Sequence, residues 1–275
     1  MGRYRFALRP KWILSHVLVI LLVVVMVNLG FWQLRRLHER RAHNAAVRAN
    51  EAQPVAPVDA LLHPGQPTSV GRDLAFRRVT ARGTYDTANE IIIGARSLDG
   101  EPGVWVVTPL RLADGSAVIV LRGFLPSQGT LERVPADAEP PAEQVTVSGL
   151  VQQTQTRGLF GPTDPAQGRL TTMARVDVER MAQQLPYPVA PAYVRLQTQD
   201  PPQPGPQPRI VPEPALDEGP HFSYAVQWFT FSTIAVAGYP LILHRRARQG
   251  DQMPDRDDEA DDHEREEAAR AGHPG

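Results

Sequence analysis

Two uncharged apolar stretches lie near the ends of the chain and enclose a long middle of mixed polarity. The first covers residues 12–31 and the second covers residues 222–243. Each is close to the roughly 20 residues that a helix needs to cross about 30 Å of hydrocarbon. Since a backbone inside lipid has to satisfy its own hydrogen bonds, both stretches are predicted to be transmembrane helices.

The middle of the chain has the pattern of short β-strands separated by turn residues. Asp99-Gly100 and Asp114-Gly115 are typical of the tight turns between neighbouring strands, and one helix is predicted over residues 176–185. The predicted strands are residues 76–85, 90–96, 104–112, 117–124, 145–152 and 193–198. This pattern favours a β-rich α+β domain over residues 71–198, folded as an antiparallel barrel or sandwich.

The remaining segments connect these elements. A helical extension and linker are predicted over residues 32–70, with the helix continuing until Pro54 stops it. Residues 199–221 are rich in proline and predict an extended linker. Residues 1–11 form a basic N-terminus, and residues 244–275 form an acidic tail that is predicted to be disordered.

Charges around the second apolar stretch orient the chain. Two acidic residues precede this stretch and three arginines follow it: Asp217 and Glu218, then Arg245, Arg246 and Arg248. Positive charge collects on the cytoplasmic side, which puts both termini in the cytoplasm and the β-rich domain outside it. The first stretch exceeds the ~7–15 apolar residues of a cleavable signal, so an uncleaved anchor is favoured. The predicted location is a bacterial plasma membrane, crossed twice.

Composition excludes several classes of function. The net charge is -1, which argues against a nucleic-acid-binding protein, and the chain has no cysteine for disulfides or thiolate metal sites. The sequence contains no HExxH, GxSxG or GxGxxG motif and no phosphate loop. A membrane-tethered extracytoplasmic hydrolase therefore remains only a remote alternative.

The start of the second predicted helix concentrates candidate site residues. His221, Tyr224 and Trp228 fall on one stripe of that helix, and Gln227 lies deeper in the apolar stretch. His221 is either a polar residue at the membrane interface or an axial ligand of haem or a metal. Tyr224 and Trp228 are either part of an aromatic belt or packed on a macrocycle, and Gln227 is expected to face a protein partner or a ligand.

The far end of the first helix lies at the same predicted depth. It offers four further candidates for cofactor binding, Trp32, Gln33, Arg35 and Arg36. The arginines are suited equally to haem propionates and to lipid headgroups. His16 belongs to the opposite end of that helix, so it cannot share one metal with His221.

Six motifs in order make the chain resemble the Surfeit locus protein 1 family, the Surf and Shy assembly factors of haem-copper cytochrome c oxidase. The motifs are LGFWQLRR at 29–36, FRRVTARGTYD at 76–86, PGVWVVTPL at 102–110, DG at 114–115, RGFLP at 122–126 and HFSYAVQWF at 221–229. The chain departs from the family's usual Asn-Arg-Gly-Trp at residues 121–124 and from its Asn-Asn-His at residues 219–221.

The resemblance implies a chaperone that makes and breaks no bond and is therefore not an enzyme. It implies help with insertion or stabilisation of haem a in the large haem-bearing oxidase subunit, with His221 in the position of the haem iron ligand. Implied partners are oxidase subunits, the haem a synthesis machinery and membrane lipid. The alternative is a haem-free membrane scaffold that binds oxidase subunits through its extracytoplasmic domain.

Overall fold

The computed structural model describes residues 4–129, 131–159, 161–213 and 215–250, in two compact units. One unit combines the chain up to Ala42 with the chain from Asp217 onward, and the other is His43–Leu216. The predicted acidic tail lies outside the described residues from position 251 onward.

Two long helices supply the first unit. Helix α1 is Pro10–Glu51, and helix α4 is His221–Gly250. Proline is well suited to the first turn of α1 because its missing N–H would have no partner there. Both helices are long and apolar enough to cross a membrane. Only 11% of the apolar segment of α1 and 6% of that of α4 are buried inside the molecule. Such exposure differs from that of a helix in a soluble core, where most of the apolar surface is buried.

Side-chain contacts show that α1 and α4 run antiparallel. Gly30 and Leu37 lie on the buried side of α1, and Ala225 lies on the buried side of α4. The rings of Phe31 and Phe229 meet edge to face, with centroids 5.3 Å apart. Further contacts along the pair join Tyr4 to His244, His16 to Tyr239, Gln33 to His221 and Arg41 to Glu218. The beginning of α1 therefore lies beside the end of α4.

Within its described residues, the second unit contains eight strands and two short α-helices. The helices are α2 (Val70–Asp73) and α3 (Val178–Ala182). The strands are β1 (Ala56–Pro57), β2 (Arg78–Tyr85), β3 (Ile91–Leu98), β4 (Glu101–Leu112), β5 (Ala117–Pro126), β6 (Val145–Gln153), β7 (Thr172–Met173) and β8 (Val189–Asp200). All six predicted strands are present, whereas β1, β7 and α2 carry too little pattern to be predicted.

The sheet order is β1-β2-β6-β8-β5-β4-β3-β7, and a second pairing joins β2 to β4. That pairing closes β2, β6, β8, β5 and β4 into a barrel, with β3 and β7 extending from β4. The expectation of a purely antiparallel sheet is wrong, because β5 and β8 pair in parallel. A parallel pair needs a long crossover connection, which the chain between β5 and β8 supplies through β6 and α3.

The barrel is filled by the inward side chains of its strands. Strand β2 alternates between buried and more exposed positions, whereas β5 is buried along almost its whole length. Val120, Val147 and Val194 are fully buried and belong to one apolar cluster. A strand that is buried on both faces needs apolar residues at consecutive positions, as β5 has.

The proline-rich segment differs from the extended linker expected over residues 199–221. Its first part is the end of β8, and Arg209 forms an antiparallel bridge with Phe124. The side chain of Arg195 donates to the carbonyl oxygen of Pro212 at 3.2 Å. Since prolines lack the N–H that sheets use, this segment packs at the sheet through few backbone bonds and many side-chain contacts.

Candidate functional site

Gln33 of α1 and His221 of α4 meet at one end of the helix pair, which we call the Gln33–His221 end. The Nδ1 atom of His221 is 2.9 Å from Oε1 of Gln33, and both side chains are half-buried. An amide oxygen can only accept a hydrogen bond, so Nδ1 carries the proton. In the neutral ring the other nitrogen, Nε2, is the one with the free lone pair, and within the described part of the chain it makes no hydrogen bond.

The chain immediately before His221 turns into α4 and places a glycine beside the imidazole ring. Ser223 donates its hydroxyl to the carbonyl oxygen of Pro220 at 2.8 Å, and the N–H of Tyr224 donates to the same oxygen at 3.1 Å. Gly219 has a φ of +66°, in the left-handed region that favours glycine. A Cβ atom at Gly219 would lie 3.5 Å from Nε2 of His221. The glycine therefore leaves free the space beside this nitrogen that a side chain would occupy.

Two aromatic residues of α4 share the side of the helix that carries His221. At 3.6 residues per turn, Tyr224 is about 60° and Trp228 about 20° around the helix from His221. Tyr224 is 47% exposed, and Trp228 is partly buried with an edge contact to Phe231 at 6.3 Å. Gln227 is exposed and lies about 120° from His221, so the structure does not bring it to the imidazole.

The candidate residues on α1 also differ in whether they share the helix face of Gln33. Arg36 is about 60° around the helix from Gln33, while Arg35 is about 160° away. Arg36 pairs with Glu39 at 2.8 Å, and both side chains are exposed. Trp32, which is 45% exposed, lies about 100° from Gln33. Tyr224 and Trp228 lie within about 60° of His221 on α4, and Arg36 lies within about 60° of Gln33 on α1, so these five residues form the candidate group, whereas Arg35 and Gln227 point elsewhere. Within this group the structure shows contact between Gln33 and His221.

Sequence reasoning missed two features at this end: the ion pair between Arg41 and Glu218, and Gly219. Arg41 of α1 donates two hydrogen bonds to the Glu218 carboxylate, at 2.9 and 2.8 Å, across 177 positions of the chain. Opposite charges that far apart cannot be matched from one sequence. Gly219 could be suspected only because glycine is suited to a turn before a helix.

His16 lies in a separate polar cluster toward the other end of the pair. Its Nδ1 is 2.7 Å from the hydroxyl of Tyr239, and its Nε2 is 3.1 Å from the carbonyl oxygen of Ala7. The Tyr239 hydroxyl also reaches Oγ of Ser15 at 2.9 Å. Seventeen residues of helix separate His16 from Gln33, or about 25 Å. Both nitrogens of His16 are occupied, which leaves no lone pair for a metal.

The barrel unit has its own buried charge pair. Arg122 is 1% exposed and donates to Glu90 at 2.7 Å and to the carbonyl oxygen of Ala138 at 2.5 Å. Burial lowers the pKa of Arg122, and the attraction of Glu90 opposes that shift. Glu90 also lines a cavity of about 430 Å³ together with Glu132, Arg133 and Glu139. Among the described residues no three potential ligands are placed to hold a metal ion.

Comparisons with known proteins agree with one another. A family model described as the SURF1 family matches residues 20–233. An uncharacterized SURF1-like protein of Mycobacterium tuberculosis is 27% identical over 264 residues, which cover 93% of this chain and 94% of that protein. A SURF1-like protein of Dictyostelium discoideum is 25% identical over 246 residues, which cover 76% and 88% of the two chains. Surfeit locus protein 1 of Takifugu rubripes is 28% identical over 172 residues, which cover 56% and 66%.

Proposed function

The chain belongs to the SURF1 family, and we propose that it is a membrane-anchored assembly factor that assists haem a insertion or stabilisation in the large subunit of haem-copper cytochrome c oxidase. Members of this family are known generally as cytochrome oxidase assembly factors rather than as enzymes. The haem a role, the partners and the membrane orientation are the parts of this proposal that experiment has to test.

The observation that carries the proposal is the state of His221. Its Nδ1 is bonded to Gln33 and its Nε2 is open beside Gly219. A neutral imidazole whose second nitrogen is held by a hydrogen bond is the usual form of a histidine that ligates iron.

The grouped residues at the Gln33–His221 end offer the chemical groups that haem binding requires. His221 offers the axial nitrogen, and Tyr224 and Trp228 offer aromatic surface on the same side of α4. Arg36 offers a guanidinium for a propionate, in exchange for its exposed pair with Glu39. Haem a, if bound here, would supply an iron that the His221 imidazole could ligate.

Membrane insertion completes the proposal. Because α1 and α4 are antiparallel, the start of α1 and the end of α4 are proposed to lie on the same side of the membrane. The exposed Arg245, Arg246 and Arg248 near the end of α4 favour the cytoplasm for that side. The barrel unit then lies outside the plasma membrane, where it is available to oxidase subunits. The haem a synthesis machinery is the proposed source of the haem.

The test is a reduced-minus-oxidised absorption spectrum of membranes from a strain that lacks the protein. The same strain is complemented with wild type, with His221→Ala, or with His38→Ala as the control. His38 is exposed on α1 and outside the grouped residues. We expect the a-type haem signal to fall without the protein and to return with wild type and His38→Ala but not with His221→Ala.

Other outcomes are equally informative. Full recovery with His221→Ala, in haem-free protein that still co-purifies with the oxidase, would replace the haem role with a scaffold role for the barrel unit. An undiminished signal in the deletion strain, with no second copy of the gene, would reject the oxidase role altogether.

A further inference from the structure

Gln33 and His221 are joined by one hydrogen bond across 188 positions of the chain. From this contact we infer that Gln33 is the positioning residue of His221: it accepts the Nδ1 proton and leaves Nε2 as the nitrogen with the free lone pair. The inference rests on the proposed function only for the statement that the free nitrogen meets haem iron. The assignment of the proton is a property of the protein itself.

The packing of α1 fixes where the Gln33 amide points. Gly30 and Leu37 precede and follow Gln33 by three and four residues, so all three lie on one face of the helix. Leu37 is 5% exposed, and Gly30 is buried so closely that an added Cβ would lie 2.7 Å from the Phe229 ring. Since this face packs against α4, the Gln33 side chain is directed toward the start of α4 rather than toward solvent.

The donor and acceptor roles in this hydrogen bond then determine the tautomer of neutral His221. A neutral imidazole has one N–H and one bare nitrogen, and the bond made by one nitrogen sets the role of the other. The Gln33 oxygen is placed 2.9 Å from Nδ1 and has no hydrogen to give. Nδ1 must therefore donate, and Nε2 must be bare.

The surroundings of Nε2 agree with this assignment. Within the described chain, no acceptor lies at hydrogen-bond distance of Nε2, so a proton there would have no partner in the protein. Gly219 also leaves the space beside Nε2 without a side chain. Gln33 itself is not a ligand in this arrangement, because its oxygen is already used by Nδ1.

The direct test reads the two ring nitrogens of His221 in the full chain. The protein is labelled with ¹⁵N-histidine, held in lipid nanodiscs, and measured at alkaline pH, where histidine is neutral. His221→Ala identifies the signals. We expect a protonated Nδ1 and a bare Nε2 in wild type and in Gln33→Glu, whose carboxylate accepts the same proton. In Gln33→Leu the proton should move to Nε2, the tautomer that imidazole prefers in water.

The matched control is Asn28→Leu. It also replaces an amide by leucine on α1, but Asn28 is exposed and donates to the carbonyl oxygen of Val24 in its own helix, at 2.8 Å. We expect the His221 signals to be unchanged in this variant. A proton on Nε2 in wild type, or the same tautomer in wild type and Gln33→Leu, would overturn the inference.

Haem titration of the same variants separates this inference from the proposed function. Loss of an outer hydrogen bond to a metal-ligating histidine typically costs about 10- to 100-fold in affinity. We expect that loss in Gln33→Leu and near-normal affinity in Gln33→Glu and Asn28→Leu. Equal haem affinity in Gln33→Leu and wild type would overturn the positioning role. If wild type binds no haem, the proposed function fails, and the nitrogen signals alone still decide the role of Gln33.

Discussion

Asp86 and Tyr187 form a contact on the barrel unit in which the pKa values of the two side chains move apart. The Tyr187 hydroxyl donates to the Asp86 carboxylate at 2.7 Å, and Asn89 donates to the same oxygen at 2.8 Å. Burial by itself would raise the pKa of Asp86, but these bonds outweigh it and the pKa is lowered. Burial, followed by the bond to Asp86, raises the pKa of Tyr187. The ionised aspartate and the neutral tyrosine therefore stabilise the fold together.

This contact predicts that the stability of the fold decreases at both acid and alkaline pH, which we call the acid limb and the alkaline limb. The lowered pKa of Asp86 gives stability that is present above the ordinary value of about 3.9 and is lost as the pH falls through the folded value. The raised pKa of Tyr187 gives stability that is present below about 10 and is lost as the pH rises through the folded value. Burial raises the pKa of Tyr85 in the same direction, so the alkaline limb has a second contributor.

Tyr187→Phe should change both limbs. It removes a bond to a carboxylate that is only partly shielded from water, and we expect a loss of about 1 kcal/mol in the free energy of unfolding at neutral pH. The acid limb should shrink and the alkaline limb should weaken without vanishing, because Tyr85 remains. The measurement is thermal unfolding of the full-length protein in detergent, followed from acid to alkaline pH. Tyr4→Phe, outside the barrel unit, serves as the control, and identical profiles for all three proteins would contradict the assignment.

At the scale of elements, the packing of α1 against α4 depends on the close approach of Gly30 to the ring of Phe229. Gly30 has no side chain, and an added Cβ would lie 2.7 Å from Cζ of Phe229. The Phe229 ring is itself held by its edge contact with Phe31. Overpacking at such a contact costs about 1–3 kcal/mol because the neighbours have to shift.

Gly30→Val is therefore expected to weaken the helix pair. The chain has no cysteine, and Met26 and Ser232 are buried positions about one helical turn from Gly30 on α1 and from Phe229 on α4. We expect a disulfide between Met26→Cys and Ser232→Cys to report on the pairing. Gly30→Val should reduce the yield of this disulfide severalfold. Gly238→Val is the matched control, because an added Cβ at Gly238 meets nothing within 4 Å. An equal loss of disulfide yield in Gly30→Val and Gly238→Val would show that the close approach at Gly30 is not needed for helix pairing.

The barrel elements show why some glycines are needed at positions without a turn. At Gly83 an added Cβ would collide with the carbonyl oxygen of Arg111, where β2 and β4 close the barrel. At Gly123 it would collide with the carbonyl oxygen of Arg209, which bridges to β5. The sequence predicts backbone requirements at Gly83, Gly103 and Gly123 as turns or bulges. The bulge is confirmed at Gly123, which lies at the register shift between β4 and β5 and is also approached by the backbone of Arg209. Gly83 has no positive φ and is explained by the approach of β4.

For the whole molecule, the sharpest prediction concerns the two sides of the membrane. A single cysteine can be introduced at exposed Ala166 of the barrel unit or at exposed Gln249 of α4. In intact spheroplasts an impermeant maleimide should label Ala166→Cys, whereas Gln249→Cys should react only after the membrane is opened. The cysteine-free parent gives the background. Reaction of Gln249→Cys before opening would place both ends of the chain outside and reverse the proposed orientation.

Sequence alone determined the elements whose pattern is local. The apolar lengths of α1 and α4, the alternation in the strands and the Asp99-Gly100 turn each lie within a few consecutive residues. Asp99 and Gly100 both have positive φ, as a tight turn between β3 and β4 requires. The same local reasoning singled out His221 and Gln33 as candidates, because each lies at the end of an apolar stretch.

Only the tertiary structure decided which distant residues meet. The parallel pairing of β5 with β8, the closure of β2 on β4 and the bridge from Arg209 to Phe124 each join segments that no local pattern relates. The Gln33–His221 bond depends on how two helices rotate against each other, which side-chain packing fixes. For that reason residue types and depth could be predicted from the sequence, whereas the proton on Nδ1 and the open Nε2 could not.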